Sequence, residues 1–529
     1  MSDNDPVPTA YVNGRIYTVD AARPWAEAIL VRDGRIAAVG SSADISAALG
    51  AGGKVVDLGG RMAMPGIHDA HSHLLFSGLK NLYECRLSPD AKATDYAGQL
   101  CECVRCMGGK LGDWVIGGDF NQLLSEPGTV DRKFLDEAFP DRPVFLTDWS
   151  LHHGLANSRA LELAGIDAAT EDPFGGRIVR REGSDEPTGE LVERATWKVV
   201  NVIPQRDPDI YRDALKWALK TASRFGVTSA QEASATRPEL EFLKAFDEDG
   251  SLPMRVAAHI PWREEHFGMA TSEELDRLIA GRHAYSGRNV RTDFVKVFMD
   301  GTPLAPHFTD AQLDPETGMP VPGKLLFERE VLAEALKAWD RAGITAKIHC
   351  TGDAAVQRVL QAIADARASG ACETIQEVSH CCFVNADDLK RFADLNVTAE
   401  MSPPVWVGDA PELAAFRERG YPFASLAALG TRITLGTDWI FLPEPNLFPA
   451  LQGVLQHGKE AVSLERALEM LTLAGAQAVG LGAVAGSIEV GKSADFIVLD
   501  RNLFEVPVSA IEHTKVELTV FEGRVVHEA

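Results

Sequence analysis

Three observations on this 529-residue sequence predict an α/β fold: a (β/α)8 TIM barrel, a small β-sandwich built from both chain ends, and an inserted subdomain after the first barrel strand. β-rich runs alternate with stretches of helical apolar spacing through the middle of the chain. The two ends resemble each other and differ from the middle. A long segment interrupts the alternation after its first strand. Because alternating strands and helices are typical of parallel βα units, eight such strands would close a barrel.

The chain ends predict the sandwich. Residues 1–63 contain short strand-like runs, and Asn-Gly and Asp-Gly pairs between apolar runs are hairpin signals. Residues 481–529 repeat this style in KSADFIVLD and KVELTVFEGRVVHE. We therefore expect 1–63 and 481–529 to form the N-terminal and C-terminal parts of one β-sandwich.

The middle of the chain predicts the barrel. Its first strand lies in residues 64–82, and the remaining βα units occupy 206–480, where runs such as DFVKVFMD and TAKIHCTG alternate with amphipathic stretches such as REVLAEALKAWDRAG. Residues 83–205 are far longer than a βα connection should be. We interpret them as an inserted subdomain that emerges at the carboxyl end of the first strand, which is the active-site face of a barrel.

Composition limits the partners. A net charge of −24 argues against nucleic acid and against anionic membranes, because both attract basic surfaces. No segment is apolar over the length of a membrane span, and the start MSDNDPVPTAYVNG lacks the pattern of a secretory signal. We expect a cytoplasmic protein that acts on a small molecule, and a homo-oligomer is possible.

The eight cysteines are spread through the chain, which favours free thiols over a disulfide scaffold. Cys101, Cys103 and Cys106 could bind a soft metal, but no second pair of ligands lies at zinc-ribbon spacing. Buried or inert thiols on a helix are the preferred interpretation.

The stretch MPGIHDAHSH ends in two histidines that suit a metal site. On an extended chain His71 and His73 point to the same side, as two ligands to one ion would. A polar strand end explains this pattern equally well. His68 does not share their parity, so it is left out of the metal shell.

Four more polar residues lie in or near the ends of predicted strands: Lys296, His349, His380 and Asp438. Each alone is more often structural, and a lysine in an apolar strand is usually ion-paired. In a barrel, however, the carboxyl ends of the strands converge on one mouth. We therefore predict that these residues and the two histidines of the first strand form one site.

The sequence resembles the amidohydrolase superfamily, and within it amidohydrolase family 3, the branch that includes N-substituted formamide deformylases. The resemblance rests on MPGIHDAHSH, VKVFMDG, IHCTGDAAV and LGTDW, on HHGLANSRAL and GGRIVRREGSDEPTGELVE in the insert, and on VNGRIYT and GSIEVGKSADFIVLD near the ends. It implies a divalent metal, zinc above all, with one or two ions per chain.

The resemblance also implies roles for individual residues. His71 and His73 would bind one metal, His349 and His380 a second, and a carboxylated Lys296 would bridge them. Asp438 would be both a metal ligand and the group that moves the proton. His152 could act as a catalytic group at the scissile carbonyl. The candidate substrate-binding residues are His153, Trp406 and Trp439. Loop histidines and tryptophans are, however, just as often structural.

The implied function is hydrolysis of a non-peptide carbon–nitrogen bond by metal-activated water, in a linear amide of the N-acyl or N-formyl type. A cyclic amidase or a deaminase would use the same ligands. A catalytically inactive binding barrel is the alternative from another class, and loss of a ligand would be its signature.

Overall fold

The computed structural model describes most of the chain. The described residues are 7–88, 90–107, 113–121, 130–304, 306–370, 374–402, 414–440 and 442–529.

The strands within these ranges form four sheets. In chain order they are β1 (Thr9–Val12), β2 (Arg15–Tyr17), β3 (Trp25–Ala26), β4 (Ala28–Arg32), β5 (Arg35–Gly40), β6 (Lys54–Asp57), β7 (Met62–Pro65), β8 (Ile67–Ser72), β9 (Cys85–Arg86), β10 (Val115–Phe120), β11 (Val144–Asp148), β12 (His153–Ala156), β13 (Gly176–Arg180), β14 (Pro187–Glu193), β15 (Val227–Glu232), β16 (Arg255–Pro261), β17 (Val290–Phe298), β18 (Thr345–Cys350), β19 (Glu377–His380), β20 (Thr398–Met401), β21 (Ile433–Leu435), β22 (Phe496–Leu499), β23 (Val516–Phe521) and β24 (Arg524–Glu528).

The α-helices of the described ranges lie mainly between the strands of the largest sheet. In chain order they are α1 (Ser42–Leu49), α2 (Leu74–Tyr83), α3 (Tyr96–Met107), α4 (Lys133–Ala138), α5 (Ser158–Leu163), α6 (Trp197–Val200), α7 (Pro208–Arg224), α8 (Arg237–Glu248), α9 (Glu265–Gly268), α10 (Ser272–Ala280), α11 (Arg329–Arg341), α12 (Asp353–Ala368), α13 (Ala386–Asp394), α14 (Ala414–Arg419), α15 (Phe423–Ala428), α16 (Phe448–Leu455), α17 (Leu464–Leu471) and α18 (Leu473–Ala478). None of them combines the length and apolar character that a membrane span requires.

The largest sheet is a parallel barrel of eight strands in the order β21-β20-β19-β18-β17-β16-β15-β8. It closes where the backbone N–H of Asp438 donates to the carbonyl of His71, at 2.7 Å. Gly436 permits this closure, because a Cβ atom there would overlap the backbone and Cβ of His71. The predicted (β/α)8 fold is confirmed.

Two further sheets combine both ends of the chain into a sandwich. One has the order β5-β4-β1-β6, and the other has the order β24-β23-β22-β7-β2-β3. β22, from the C-terminal region, pairs antiparallel with β7, from the N-terminal region. The sheets share an apolar core in which the rings of Tyr11 and Phe496 meet edge to face, with centroids 4.8 Å apart.

The fourth sheet, β13-β14-β12-β11-β10-β9, belongs to the segment between α2 and α7. It has apolar clusters of its own, separate from the barrel core. His152 lies directly before β12 of this sheet and reaches the barrel mouth, so the insert contributes to the site described below.

The expectation of free thiols is wrong for Cys85 and Cys103, which form a disulfide. Cys103 lies on the apolar face of α3 with Leu100 and Val104, and this face packs on β9, where Cys85 lies. Cys101 and Cys106 project from other faces of the same helix and are exposed, so they are not buried thiols. The helix was expected, but the pairing depends on a neighbouring strand.

Close packing of α2 on α7 depends on Gly78. A Cβ atom at this position would overlap the backbone carbonyl of Ala214. We expect Gly78→Ala to lower the free energy of unfolding by about 1–3 kcal/mol, because the helices must separate to accept the methyl group. Denaturant unfolding measures this. Gly98→Ala in α3 is the matched control: its Cβ meets open space, so we expect stabilisation of up to about 1 kcal/mol. Equal effects would contradict this packing argument.

Candidate metal centre

The two histidines of the first barrel strand converge on one carboxylate. His71 Nε2 lies 3.6 Å and His73 Nε2 lies 3.2 Å from Oδ1 of Asp438. All three side chains are buried. His68 lies apart from this group, with its Nε2 3.3 Å from the side-chain nitrogen of Gln231. The structure thus brings strands β8 and β21 together at the mouth of the barrel.

His380 joins this group from the end of β19. Its Nδ1 lies 3.7 Å from Oδ2 of Asp438, and its ring centroid lies 4.6 Å from that of His71. Both His380 and Asp438 have positive φ, 67° and 48°. Non-glycine residues in this left-handed region cost about 1–3 kcal/mol and concentrate at functional sites. The backbone is therefore strained where these two side chains are presented.

Asp438 is ionised in this environment. Burial raises its pKa, but the neighbouring His71, His73 and Lys296 outweigh burial and hold the pKa at about 2. An ionised carboxylate next to imidazoles is suited either to bind a cation or to accept a proton.

His349 extends the group towards β18. Its ring centroid lies 4.5 Å from that of His380. Its Nε2 lies 2.9 Å from the carbonyl oxygen of Gly301. Since a carbonyl oxygen only accepts, Nε2 carries the proton and Nδ1 keeps its lone pair. Outer hydrogen bonds of this kind fix the tautomer of metal-binding histidines.

Lys296 lies in the same buried layer. Its Nζ is 3.2 Å from His71 Nε2 and 5.1 Å from the ring centroid of Phe298. Burial and then Lys347 lower the pKa of Lys296 to about 8. Among the described residues, no carboxylate lies within ion-pair distance of its ammonium group. Lys296 thus differs from an ion-paired structural lysine, which has a carboxylate partner.

Sequence reasoning missed Glu400, which connects two of the predicted ligands. Its Oε2 accepts from His71 Nδ1 at 2.7 Å, from Ser379 Oγ at 2.5 Å and from the His380 backbone N–H at 3.3 Å. Because a carboxylate accepts, His71 Nδ1 carries the proton and its Nε2 lone pair faces Asp438. A glutamate inside the apolar strand β20 was the signal that could have revealed this role.

Asp69 braces the same strand ends. It accepts from Thr437 Oγ1 at 2.6 Å and from the backbone N–H groups of Thr437, at 2.9 Å, and His71, at 3.2 Å. Burial raises the pKa of Asp69 to about 7. Its carboxyl group thus joins β8 to the turn that presents Asp438.

His152 reaches the centre from the inserted subdomain. Its ring centroid lies 5.3 Å from that of His349, and its Nδ1 lies 2.9 Å from Oε2 of Glu193. Burial lowers the pKa of His152, but Glu193 outweighs burial and the net shift is upward. Glu193, at φ 51°, was also missed by sequence reasoning. It orients the His152 ring and stabilises its protonated form.

The predicted substrate-binding residues are placed differently. The His153 ring faces His307, with centroids 5.0 Å apart, rather than the metal centre. Trp439 is fully buried, 5.9 Å from the ring of Trp217, because its side chain points away from the mouth. Substrate contact by His153 and by Trp439 stays a prediction. Trp406 lies outside the described residues.

The donor set fits a divalent metal ion. Ligand atoms of His71, His73 and Asp438 all lie within 4.8 Å of one another, and those of His71, His380 and Glu400 do as well. In the second group, Glu400 already accepts the proton of His71, so the first group is the better cradle. Imidazole nitrogen and carboxylate oxygen are typical ligands of zinc.

Comparisons with known proteins agree with this geometry. A sequence model of the amidohydrolase family matches residues 54–527. N-substituted formamide deformylase of Arthrobacter pascens is 29% identical over 540 residues, covering 97% of each chain. A solved metal-dependent hydrolase from Pyrococcus horikoshii has a TM-score of 0.72 at 23% identity, over 95% of this chain and 99% of that chain. A zinc-bound adenosine deaminase from Xanthomonas campestris has a TM-score of 0.57 at 15% identity, over 98% and 93%. The two structures share the fold.

Proposed function

The chain belongs to the amidohydrolase family and is a hydrolase of carbon–nitrogen bonds other than peptide bonds, and we propose that it cleaves a linear amide of the N-acyl or N-formyl type. The observation that carries this proposal is the buried cradle of His71, His73 and Asp438 at the carboxyl end of the barrel. Similarity to a formamide deformylase over 97% of both chains supports a linear amide as substrate.

We propose His71, His73 and Asp438 as ligands of one ion, with His349 and His380 as ligands of a second. Zinc bound there would lower the pKa of a coordinated water to about 7 and polarise the scissile carbonyl. Glu400 holds His71 in the tautomer whose Nε2 lone pair is free for a metal, and the Gly301 carbonyl holds His349 in the tautomer whose Nδ1 lone pair is free.

Lys296 is proposed to bridge the ligand groups as a carbamate. The ammonium group first loses a proton; the neutral amine then attacks the carbon of CO2, an N–C bond forms as one C=O π bond breaks, and a second proton leaves the nitrogen. The cationic side chain thereby becomes an anionic oxygen donor. The position of Nζ supports this role, because it lies 3.2 Å from His71 Nε2 and has no carboxylate within ion-pair distance among the described residues. An unmodified ammonium group would repel cations held by the same histidine.

Asp438 is proposed to move the proton. Its carboxylate is ionised, so it accepts a proton from the attacking water and delivers it to the leaving nitrogen. The hydrogen bond from its backbone N–H to His71 and its strained backbone fix the carboxylate at the centre. The carboxylate therefore needs no rearrangement during the reaction.

His152 is proposed to bind the oxygen of the scissile carbonyl. The Glu193 carboxylate accepts from Nδ1 and stabilises the protonated ring, so the opposite ring edge can donate to an oxygen on which negative charge develops.

We expect His152→Phe to lower kcat by about 100-fold to 1,000-fold with metal content unchanged, because one donor to the developing oxyanion is lost. His153→Phe is the matched control at the adjacent position, whose ring faces His307. Its effect on kcat should stay below about tenfold. Similar losses in both variants would remove His152 from the reaction.

Metal removal tests the proposed function directly. The purified protein is analysed for bound divalent ions and then treated with a chelator, and hydrolysis of N-formyl, N-acyl and cyclic amides is followed by release of amine or ammonia. We expect activity on a linear amide to disappear with the metal and to return with zinc. Deamination or ring opening alone would favour a deaminase or a cyclic amidase. Absence of both metal and activity would indicate an inactive barrel.

A further inference from the structure

An apolar cavity lies between the inserted subdomain and the barrel. It has a volume of about 290 Å³. The residues that line it come from α2, α7, α9 and α10, from strands β10 and β11 of the insert, and from the segments that follow α6, α9 and β21. Its apolar wall includes Phe76, Leu79, Ile116, Phe145, Ile203 and Ile440.

The cations around this cavity already face carboxylates, and the Glu274 carboxylate accepts from the backbone N–H of Thr271 at 3.0 Å. Lys80 pairs with Asp119 and also donates to the carbonyl of Ile440 at 2.9 Å. Arg206 pairs with Glu84 at 2.8 Å. Because both cations are neutralised by carboxylates, the cavity is suited to a neutral apolar group rather than to an ion.

The cavity adjoins the metal centre. Ile440 lines both spaces and follows Asp438 by two residues. The Phe76 ring, on the cavity wall, lies 6.4 Å from the ring of His73. The space at the centre itself is about 60 Å³. That volume accommodates a few water molecules or a small polar group, but not a bulky substituent.

We propose that this cavity binds an apolar substituent of the substrate, such as an aromatic ring system or a branched hydrocarbon, while the amide group occupies the metal centre. An apolar cavity of about 150 Å³ holds benzene in another protein, so the present volume suits a group of bicyclic size. The inference rests on the proposed function for the position of the amide.

Leu151 supports this assignment independently. It lines the cavity and packs with Phe267, Phe298 and Ile440 in an apolar cluster beside the centre. Its φ is 64°, which leucine rarely adopts. Strain of this kind is retained where the position of a side chain matters for function. Leu151 thus lines the cavity on the side where its apolar neighbours reach the metal centre.

Direct binding is the first test, because it requires no turnover. 2-Naphthylmethanol, which has the apolar group but no amide bond, is titrated into the metal-loaded protein by fluorescence. We expect one molecule to bind per chain and Ile116→Trp, which fills the cavity, to weaken binding at least about tenfold. Leu163→Trp is the matched control in the same subdomain, on an exposed site away from the cavity. Absence of binding, or equal binding by wild type and Ile116→Trp, would overturn the proposal.

Substrate preference is the second test. Amides that differ only in a methyl or a 2-naphthylmethyl group are compared, with the group on nitrogen in one series and on the acyl carbon in the other. Burial of each methylene strengthens binding by about fourfold. In one of the two series, kcat/KM for the 2-naphthylmethyl amide should therefore exceed kcat/KM for the methyl amide by more than about 50-fold. Ile116→Trp should reduce that ratio at least about tenfold. Ala270→Phe narrows the cavity from the barrel side and gives the same readout if the first variant does not fold.

The two tests separate this inference from the proposed function. If no amide is hydrolysed, but 2-naphthylmethanol binds to the wild type and binds more weakly to Ile116→Trp, only the proposal of a linear amide substrate fails. If amides are hydrolysed without any preference for the larger group in either series, the cavity assignment is overturned and the hydrolase proposal stands.

Discussion

Replacing Asp438 with asparagine is expected to leave the metal bound and to lower kcat by about 100-fold to 10,000-fold. The amide keeps an oxygen that can face the ion, at nearly the same volume, but it cannot accept the proton that the ionised carboxylate takes up at neutral pH. Metal content by elemental analysis and kcat on a linear amide are measured on the same preparation.

Asp69→Asn is the control for this prediction. Asp69 is buried beside the same turn and accepts from Thr437, but its pKa of about 7 leaves about half of its carboxyl groups protonated at neutral pH. An asparagine resembles this protonated form, and we expect less than about tenfold loss of kcat. Near-normal turnover by Asp438→Asn, or an equal loss in both variants, would remove Asp438 from proton transfer.

Lys296→Ala is expected to lose one or both metal ions and, with them, activity. If Lys296 is a bridging carbamate, the substitution removes an anionic oxygen ligand from between the imidazoles and leaves a space at its position. A short carboxylic acid such as acetate should then partly restore the metal content and kcat. Metal per chain and kcat are measured with and without the acid.

Lys347→Ala is the matched control, since Lys347 lies beside Lys296 in the neighbouring barrel strand. Lys347 has a carboxylate partner, Glu377, at 3.2 Å. Removal of the Lys347 ammonium group leaves the buried Glu377 carboxylate unpaired. The free energy of unfolding should then fall by about 3–5 kcal/mol, and acetate should not restore it. Full metal occupancy in Lys296→Ala, with no effect of the acid, would contradict the bridging carbamate.

The barrel could be predicted because its signals are local. Strands such as β17 and β18 are short apolar runs, and helices such as α11 and α12 show apolar spacing within a single stretch of chain. The spacing of His71 and His73 likewise depends only on the geometry of one strand. These features require no knowledge of the neighbouring elements.

The contacts that support the centre could not be predicted in this way. Glu400 lies 329 residues from His71, and their hydrogen bond exists only because β19, β20, β21 and β8 are adjacent in the closed barrel. The pairing of Cys85 with Cys103 and of Glu193 with His152 depends in the same way on how the insert packs. The contact of Trp439 with Trp217 likewise joins the residue after Asp438 to a helix more than 200 residues away in the chain.

By itself, the sequence indicated where the barrel strands lie and which polar residues lie in or near their ends, because the periodicity of a strand or a helix is visible in neighbouring residues. Only the tertiary structure decided which carboxylate orients which histidine, and whether an apolar cavity lies beside the centre. Such pairings depend on sheet order and on packing between distant segments, which no local pattern encodes.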